Sequence, residues 1–233
     1  MADLGAMALL LGLVISCYAA AASLLGEKMR IAELIVSARR SIYMATLCAA
    51  VASGTLIFAF AENDFSIEYV ANHSNTLMDR AFVWVAFYAG NEGSLLYILL
   101  ILTVISSISI WVAPKRLERS MPWTIAILAV IQLFYFAVLA FSASPFELMS
   151  TVPEDGRGIN PLLTHPGMFS HPPLLMGGLI AITVPFAFVS GALIAGNFGD
   201  DWVDVARVSA IIAWGVLGTG MLLGAWWAYT ILG

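Results

Sequence analysis

FVWVAFYAGNEGSLLYILLILTV, residues 82–104, is almost wholly apolar, yet Glu92 sits inside it within the run Gly90-Asn91-Glu92-Gly93-Ser94. A carboxylate in lipid is costly, so its depth decides how the chain is read. A single helix over residues 81–113 would reach ~50 Å, against a hydrocarbon core of ~30 Å. The stretch must therefore break, and AGNEGS is the natural place. Gly90 and Gly93 are poor helix formers, while asparagine and serine are good N-caps. A span from about Ser94 inward puts Glu92 at the outer mouth of a helix, where the N-terminus favours an anion. Glu92 then reads either as a helix-start carboxylate or as part of an outer-face site. A mid-membrane carboxylate is the reading this boundary disfavours. Before the break, AFVWVAFY (81–88) is too short to span. It reads as an interfacial half-helix that places Trp84 and Tyr88 in an aromatic belt, or as an apolar shelf for a flat ligand.

Composition agrees with a membrane protein. Of 233 residues, 61% are hydrophobic and 11% charged, whereas soluble domains carry roughly 25% charged residues. The net charge of −5 leaves no basic footprint for nucleic acid. Cys17 and Cys48 form no CxxC pair and read as small buried hydrophobes. The expected fold is an all-α polytopic bundle of about six transmembrane helices in one domain over 1–233, with the short interfacial helix on its outer face. The spans fall near 6–25, 41–61, 94–113, 122–143, 172–195 and 208–231. The opening MADLG has an acid and no positive charge, so the first span is not read as a cleavable signal.

Lysine and arginine set the orientation. Lys28, Arg30, Arg39, Arg40, Lys115, Arg116, Arg119 and Arg207 fall in loops one, three and five, and only Arg80 and Arg157 in the others. The odd loops are thus expected to be cytoplasmic and both termini to face out, into the periplasm of a bacterial cell.

All three histidines fall on that outer side. His171 precedes Pro172 and Pro173. A residue before proline is held extended, and proline suits the first helical position. His171 is therefore a stiffened imidazole at the mouth of the fifth span. Such a group suits metal or haem-iron ligation, or is simply a polar interfacial residue. His165 lies in a Pro-Gly turn and reads as structural, and His73 as a solvated loop residue. No HExxH, P-loop or nucleophile elbow is present, and no side chain reads as catalytic. Gly220 and Gly224 form a GxxxG that reads as helix packing.

GNEGSLL (90–96), NDFSIEYVANHSNT (63–76) and PFELMSTVPEDGRGINPLLTHPGMFSHPPLLMG (145–177) together resemble the amino-terminal part of the CcmF family, haem lyase subunits of bacterial cytochrome c maturation. The resemblance runs through nearly the whole chain, with the motifs in the family's order. It implies a bacterial inner-membrane protein that takes haem from a haem chaperone at the periplasmic face. With other cytochrome c maturation subunits, it would present that haem to apocytochrome c for thioether attachment. It implies that His171 is an axial ligand to the haem iron, the only metal expected. Glu92, Trp84, Tyr88 and, more remotely, His165 join it as candidate haem contacts. The family often has Trp-Gly where this chain has Tyr88-Ala89, and a tyrosine where it has Met176. In the family the run GAWWAYTILG (224–233) leads into a tryptophan-rich outer segment that forms most of the haem platform. The ligands of a resident b-type haem lie beyond it as well. The chain is therefore expected to be the front part of a longer haem-handling protein, and whether it is an enzyme by itself stays open. Two other classes compete: a transporter or ion-translocating subunit, which needs ionisable groups at mid-membrane depth, and a scaffold for the maturation complex.

Overall fold

The computed structural model describes residues 1–233 and contains nine α-helices among the described residues. In chain order they are α1 (Ala2–Met29), α2 (Ala32–Ala61), α3 (Glu68–His73), α4 (Val83–Phe87), α5 (Asn91–Val112), α6 (Met121–Phe141), α7 (His171–Ala181), α8 (Thr183–Ile194) and α9 (Val203–Leu232). Six apolar segments are long enough to cross a membrane, the fifth being Pro166–Ile194. The expected all-α membrane bundle is what forms, with no strand among the described residues.

In lipid, apolar side chains gain little by leaving one apolar medium for another, so helices associate through close fit. Small residues supply that fit. Ala45, Ala49, Ala52 and Ala59 of α2 are buried beside α1 and α5. On α1, Gly5 and Gly12 leave room for the rings of Phe146 and Phe136. α1 and α2 form a tight hairpin, turned by Arg30 in the left-handed conformation (φ 58°), whose N–H bonds the Glu27 carbonyl. α6 lies along α1, where the Ser23 hydroxyl donates to the Pro122 carbonyl at 2.6 Å.

Several boundaries differ from the sequence reading. α1 extends beyond 6–25, α2 begins at Ala32 and not at 41, and α9 begins at Val203 and not at 208. The third span begins at Asn91 with Gly90 as its N-cap, not at Ser94, because the Ser94 hydroxyl donates to the Tyr88 carbonyl instead. The fifth span, expected as one helix over 172–195, is two, joined at Ile182. Pro185 explains the break. It has no N–H for the carbonyl four residues back, that of Ala181, and its ring crowds that carbonyl.

At the histidine-bearing end two loops are stitched together. The Glu68 N–H bonds the Glu147 carbonyl and the Met149 N–H the Ser66 carbonyl, each at 2.8 Å. Further along, the Arg157 N–H bonds the Ala71 carbonyl, and Asp155 accepts from the N–H and hydroxyl of Thr76. Those bonds hold the Asp155 carboxyl below the usual carboxylate range. The segment 142–170 is thereby fixed over the segment 62–90, and it delivers the start of α7 to a set place.

α7 and α9 run antiparallel in contact, and glycine makes that possible. A Cβ on Gly178 would collide with the Leu217 backbone, and one on Gly220 with the backbone of Leu174 and Leu175. Gly215, on the same helix, faces open space. Gly178→Ala should therefore destabilise the protein by about 1–3 kcal/mol, the usual cost of overpacking. Gly215→Ala should leave stability unchanged or raise it by up to ~1 kcal/mol through helix propensity. Thermal unfolding of the two variants in detergent separates these outcomes.

Candidate functional site

The break between α4 and α5 is a packed joint. Gly90 lies against the His73 ring and Gly93 against the Phe87 carbonyl, so neither tolerates a Cβ. The Tyr69 hydroxyl fills the gap, accepting from the Gly90 N–H at 2.9 Å and donating to the Phe87 carbonyl at 3.3 Å. Burial pushes the Tyr69 phenol well above its ordinary range, so it remains a donor. Glu92 sits in the first turn of α5, as the helix-start reading requires. It lines a polar cavity of about 140 Å³ together with Glu68, Asn72, His73, Ser144 and Glu147. This cavity is separate from the surroundings of His171.

His171 opens α7. Its Nδ1 lies 2.8 Å from the Gly220 carbonyl oxygen. A carbonyl only accepts, so Nδ1 carries the proton and Nε2 presents a bare lone pair in the neutral ring. Among the described residues nothing bonds Nε2, and it is not sealed from its surroundings. The ring stacks on Trp227 (centroids 6.1 Å, 17° between planes), and Gly224 leaves space for its edge. Gly220 and Gly224 thus pack helices, as their spacing suggests, and also seat the imidazole. A backbone carbonyl on one ring nitrogen fixes tautomer and orientation, and it raises the basicity of the other nitrogen. This is the usual support of a metal-ligating histidine.

Two tyrosines flank this start. The Tyr88 hydroxyl donates to the Met168 carbonyl at 2.7 Å, and the Tyr97 hydroxyl to the Pro173 carbonyl at 3.2 Å. With Trp84 they form an aromatic cluster, with centroids 5.5–6.0 Å apart. Trp84 is 37% exposed, and it keeps an open face on the shelf read from 81–88. Tyr88 is only 4% exposed, so it faces into the bundle and does not lie in an aromatic belt. The reason is its hydroxyl, which has a buried carbonyl to satisfy.

His165 has both ring nitrogens committed. His165 Nδ1 accepts from the Gly167 N–H at 3.0 Å, which puts its proton on Nε2, facing Thr230 at 3.4 Å. It ties the loop to the end of α9 beside Trp226. His73, expected in a solvated loop, instead ends α3. It is half-buried, stacked on Tyr69 at 4.3 Å, with Nδ1 donating to the Tyr69 carbonyl. Its ring is held there by the joint at Gly90. His171 and His73 thus both carry a carbonyl on Nδ1 and, among the described residues, no hydrogen bond on Nε2. His73 lines the polar cavity shared with Glu68, Glu92 and Glu147, whereas His171 lies against Trp227, where its Nε2 fits a bond to haem iron. Among the described residues no cluster of three or more His, Cys, Asp or Glu forms a metal site of its own.

The family model for cytochrome C assembly protein matches residues 89–233, which include the joint, His171 and all of α9. The chain belongs to this family. Curated relatives carry the CcmF name read from the motifs. CcmF of Haemophilus influenzae is 33% identical over 233 residues, covering 100% of this chain and 36% of its own. CcmF of Pseudomonas fluorescens is 36% identical over 184 residues, covering 78% and 28%. The probable cytochrome c-type biogenesis protein NrfE of Escherichia coli is 33% identical over 182 residues, covering 78% and 33%. The solved structure of the cytochrome c haem lyase CcmF matches 98% of this chain and 36% of its own, at 31% identity and a TM-score of 0.84. The chain spans about a third of the length of the curated relatives it matches.

The ring assignments are directly measurable. Nitrogen-15 spectra of the histidine side chains should show Nδ1 protonated in His171 and His73, and Nε2 protonated in His165. A His171 ring with its proton on Nε2 would remove the free nitrogen from the site.

Proposed function

We propose that the chain is the haem-handling front part of a cytochrome c assembly protein, working at the periplasmic face of a bacterial inner membrane with both termini on that side. The observation that carries this reading is His171 Nδ1 on the Gly220 carbonyl, leaving Nε2 bare, in a chain of this family. His171 Nε2 would hold the haem iron. Trp227 offers aromatic surface against the ring, and Trp84 adds an exposed face on the neighbouring aromatic cluster. Haem, once bound, brings the vinyl groups that receive the two thiols of apocytochrome c. The chain's own contribution is to hold and orient, and proximity of that kind supplies much of the acceleration in such additions. Its partners are a haem chaperone, apocytochrome c, other cytochrome c maturation subunits and membrane lipid.

The orientation rests on the distribution of lysine and arginine. The ion-translocating alternative draws no support from Glu92, which lies in the first turn of α5, at the end of the span and not at its middle. A carboxylate in that position contributes about 0.3–1 kcal/mol against the helix dipole.

A chromosomal His171→Ala variant should lose most haem-stained c-type cytochrome while the membrane level of the protein, followed by immunoblot, stays normal. Glu92→Gln should keep more than about half of it, since its effect is limited to that dipole contribution. Normal cytochrome in His171→Ala would overturn the proposal and leave the scaffold reading.

A further inference from the structure

We propose that Tyr88 and Tyr97 are positioning residues that aim His171, and that they do so through the backbone of α7 without touching the ligand. This rests on the reading of His171 as the iron ligand. The sequence HPP gives the site an unusual problem. Pro172 and Pro173 have no N–H, and α7 has no side-chain N-cap, so the first turn has few donors to anchor it, the Leu174 N–H on the Ser170 carbonyl being one. Carbonyls on either side of His171 supply the further handles. Tyr88 takes that of Met168, three residues before, and Tyr97 takes that of Pro173, two residues after.

The two donors come from opposite sides of the joint at Gly90–Gly93. Tyr88 ends α4 and Tyr97 lies two turns into α5. The Ser94 hydroxyl, bonded to the Tyr88 carbonyl at 2.8 Å, couples the two elements. Gly177 leaves space beside the Tyr97 hydroxyl. Both tyrosines are nearly inaccessible, at 4% and 6% exposure, so neither offers a face to a flat ligand. Burial pushes the Tyr88 phenol above its ordinary range, which keeps it a donor. The third fixed point is the Gly220 carbonyl on the ring itself. Three bonds from three elements therefore hold one imidazole: α4 and α5 hold its backbone, and α9 holds its ring. A displacement of about 1 Å in such a group is enough to cost orders of magnitude in a positioned reaction.

The test uses chromosomal Tyr88→Phe, Tyr97→Phe and Tyr88→Trp, with His171→Ala alongside, at membrane levels matched by immunoblot. Phenylalanine keeps the ring and loses the donor, whereas tryptophan changes the shape and keeps an N–H. Each Phe variant should lower haem-stained cytochrome about two- to tenfold, the range expected for one lost hydrogen bond. Tyr88→Trp should lie above Tyr88→Phe. In the haem-free protein, the nitrogen-15 signals of His171 should change from a single Nδ1-protonated ring to a mixture of tautomers in the double Phe variant. Wild-type cytochrome and an unchanged His171 tautomer in the Phe variants would overturn the proposal. Tyr88→Trp no better than Tyr88→Phe, with the tautomer unchanged, would also overturn it, because the tyrosines would then act by packing alone. Normal cytochrome in His171→Ala would instead overturn the ligand reading, while the tautomer measurement would still decide whether the tyrosines aim the ring.

Discussion

The antiparallel contact of α7 with α9 sets the separation on which the histidine site depends. Gly178 and Gly220 let the two backbones meet, Gly224 makes room for the His171 ring, and the Gly220 carbonyl comes within 2.8 Å of that ring. A side chain at either of the first two would push the helices apart and take the carbonyl away from Nδ1, and one at Gly224 would displace the ring itself. The ring would then lose its fixed tautomer and its stacking on Trp227. Helix packing and the seating of the imidazole are one feature here. In lipid this has a further consequence. Little hydrophobic driving force presses helices together, so the close fit itself must provide the attraction.

A second constraint acts from the other side. The chain gives up a continuous helix at Gly90–Gly93, and the joint it gains holds Tyr88 and Tyr97 at different heights against the start of α7. Tyr69 fills the joint, and the stitched segments 62–90 and 142–170 carry α7 to meet it. Glu92, which first drew attention to this stretch, lines a different cavity. Its place is explained by the helix N-terminus. The polar residue that marks the break and the residues that use it are therefore not the same.

Much of the fold was legible because lipid imposes a length and forbids unsatisfied backbone. The six spans, the break in 81–113 and the place of His171 at the start of a helix follow from residue type and spacing. The bend at Ile182 was also within reach, since Pro185 announces a carbonyl without a donor. Partnerships across the fold were not legible. Nothing in the sequence near Tyr97 points to Pro173, 76 positions away, and nothing near Gly220 points to His171. His73 was misjudged for the same reason: a polar run such as NHSNT reads as solvated until Tyr69 and Gly90 are seen against it. Tyr88 reads from the sequence as part of an aromatic belt or shelf because the run 81–88 is short, aromatic and on the outer side. Its hydroxyl turns it inward.

The most direct test is a titration of the detergent-solubilised protein with ferric haem, followed by its visible spectrum, for the native chain and His171→Ala. If the bare Nε2 is the ligand, the native chain gives a histidine-ligated Soret band that His171→Ala lacks. Free imidazole should then bring that band back in the variant. The same band and the same affinity in both proteins would show that the iron is held elsewhere, and that the contact between α7 and α9 is packing and nothing more.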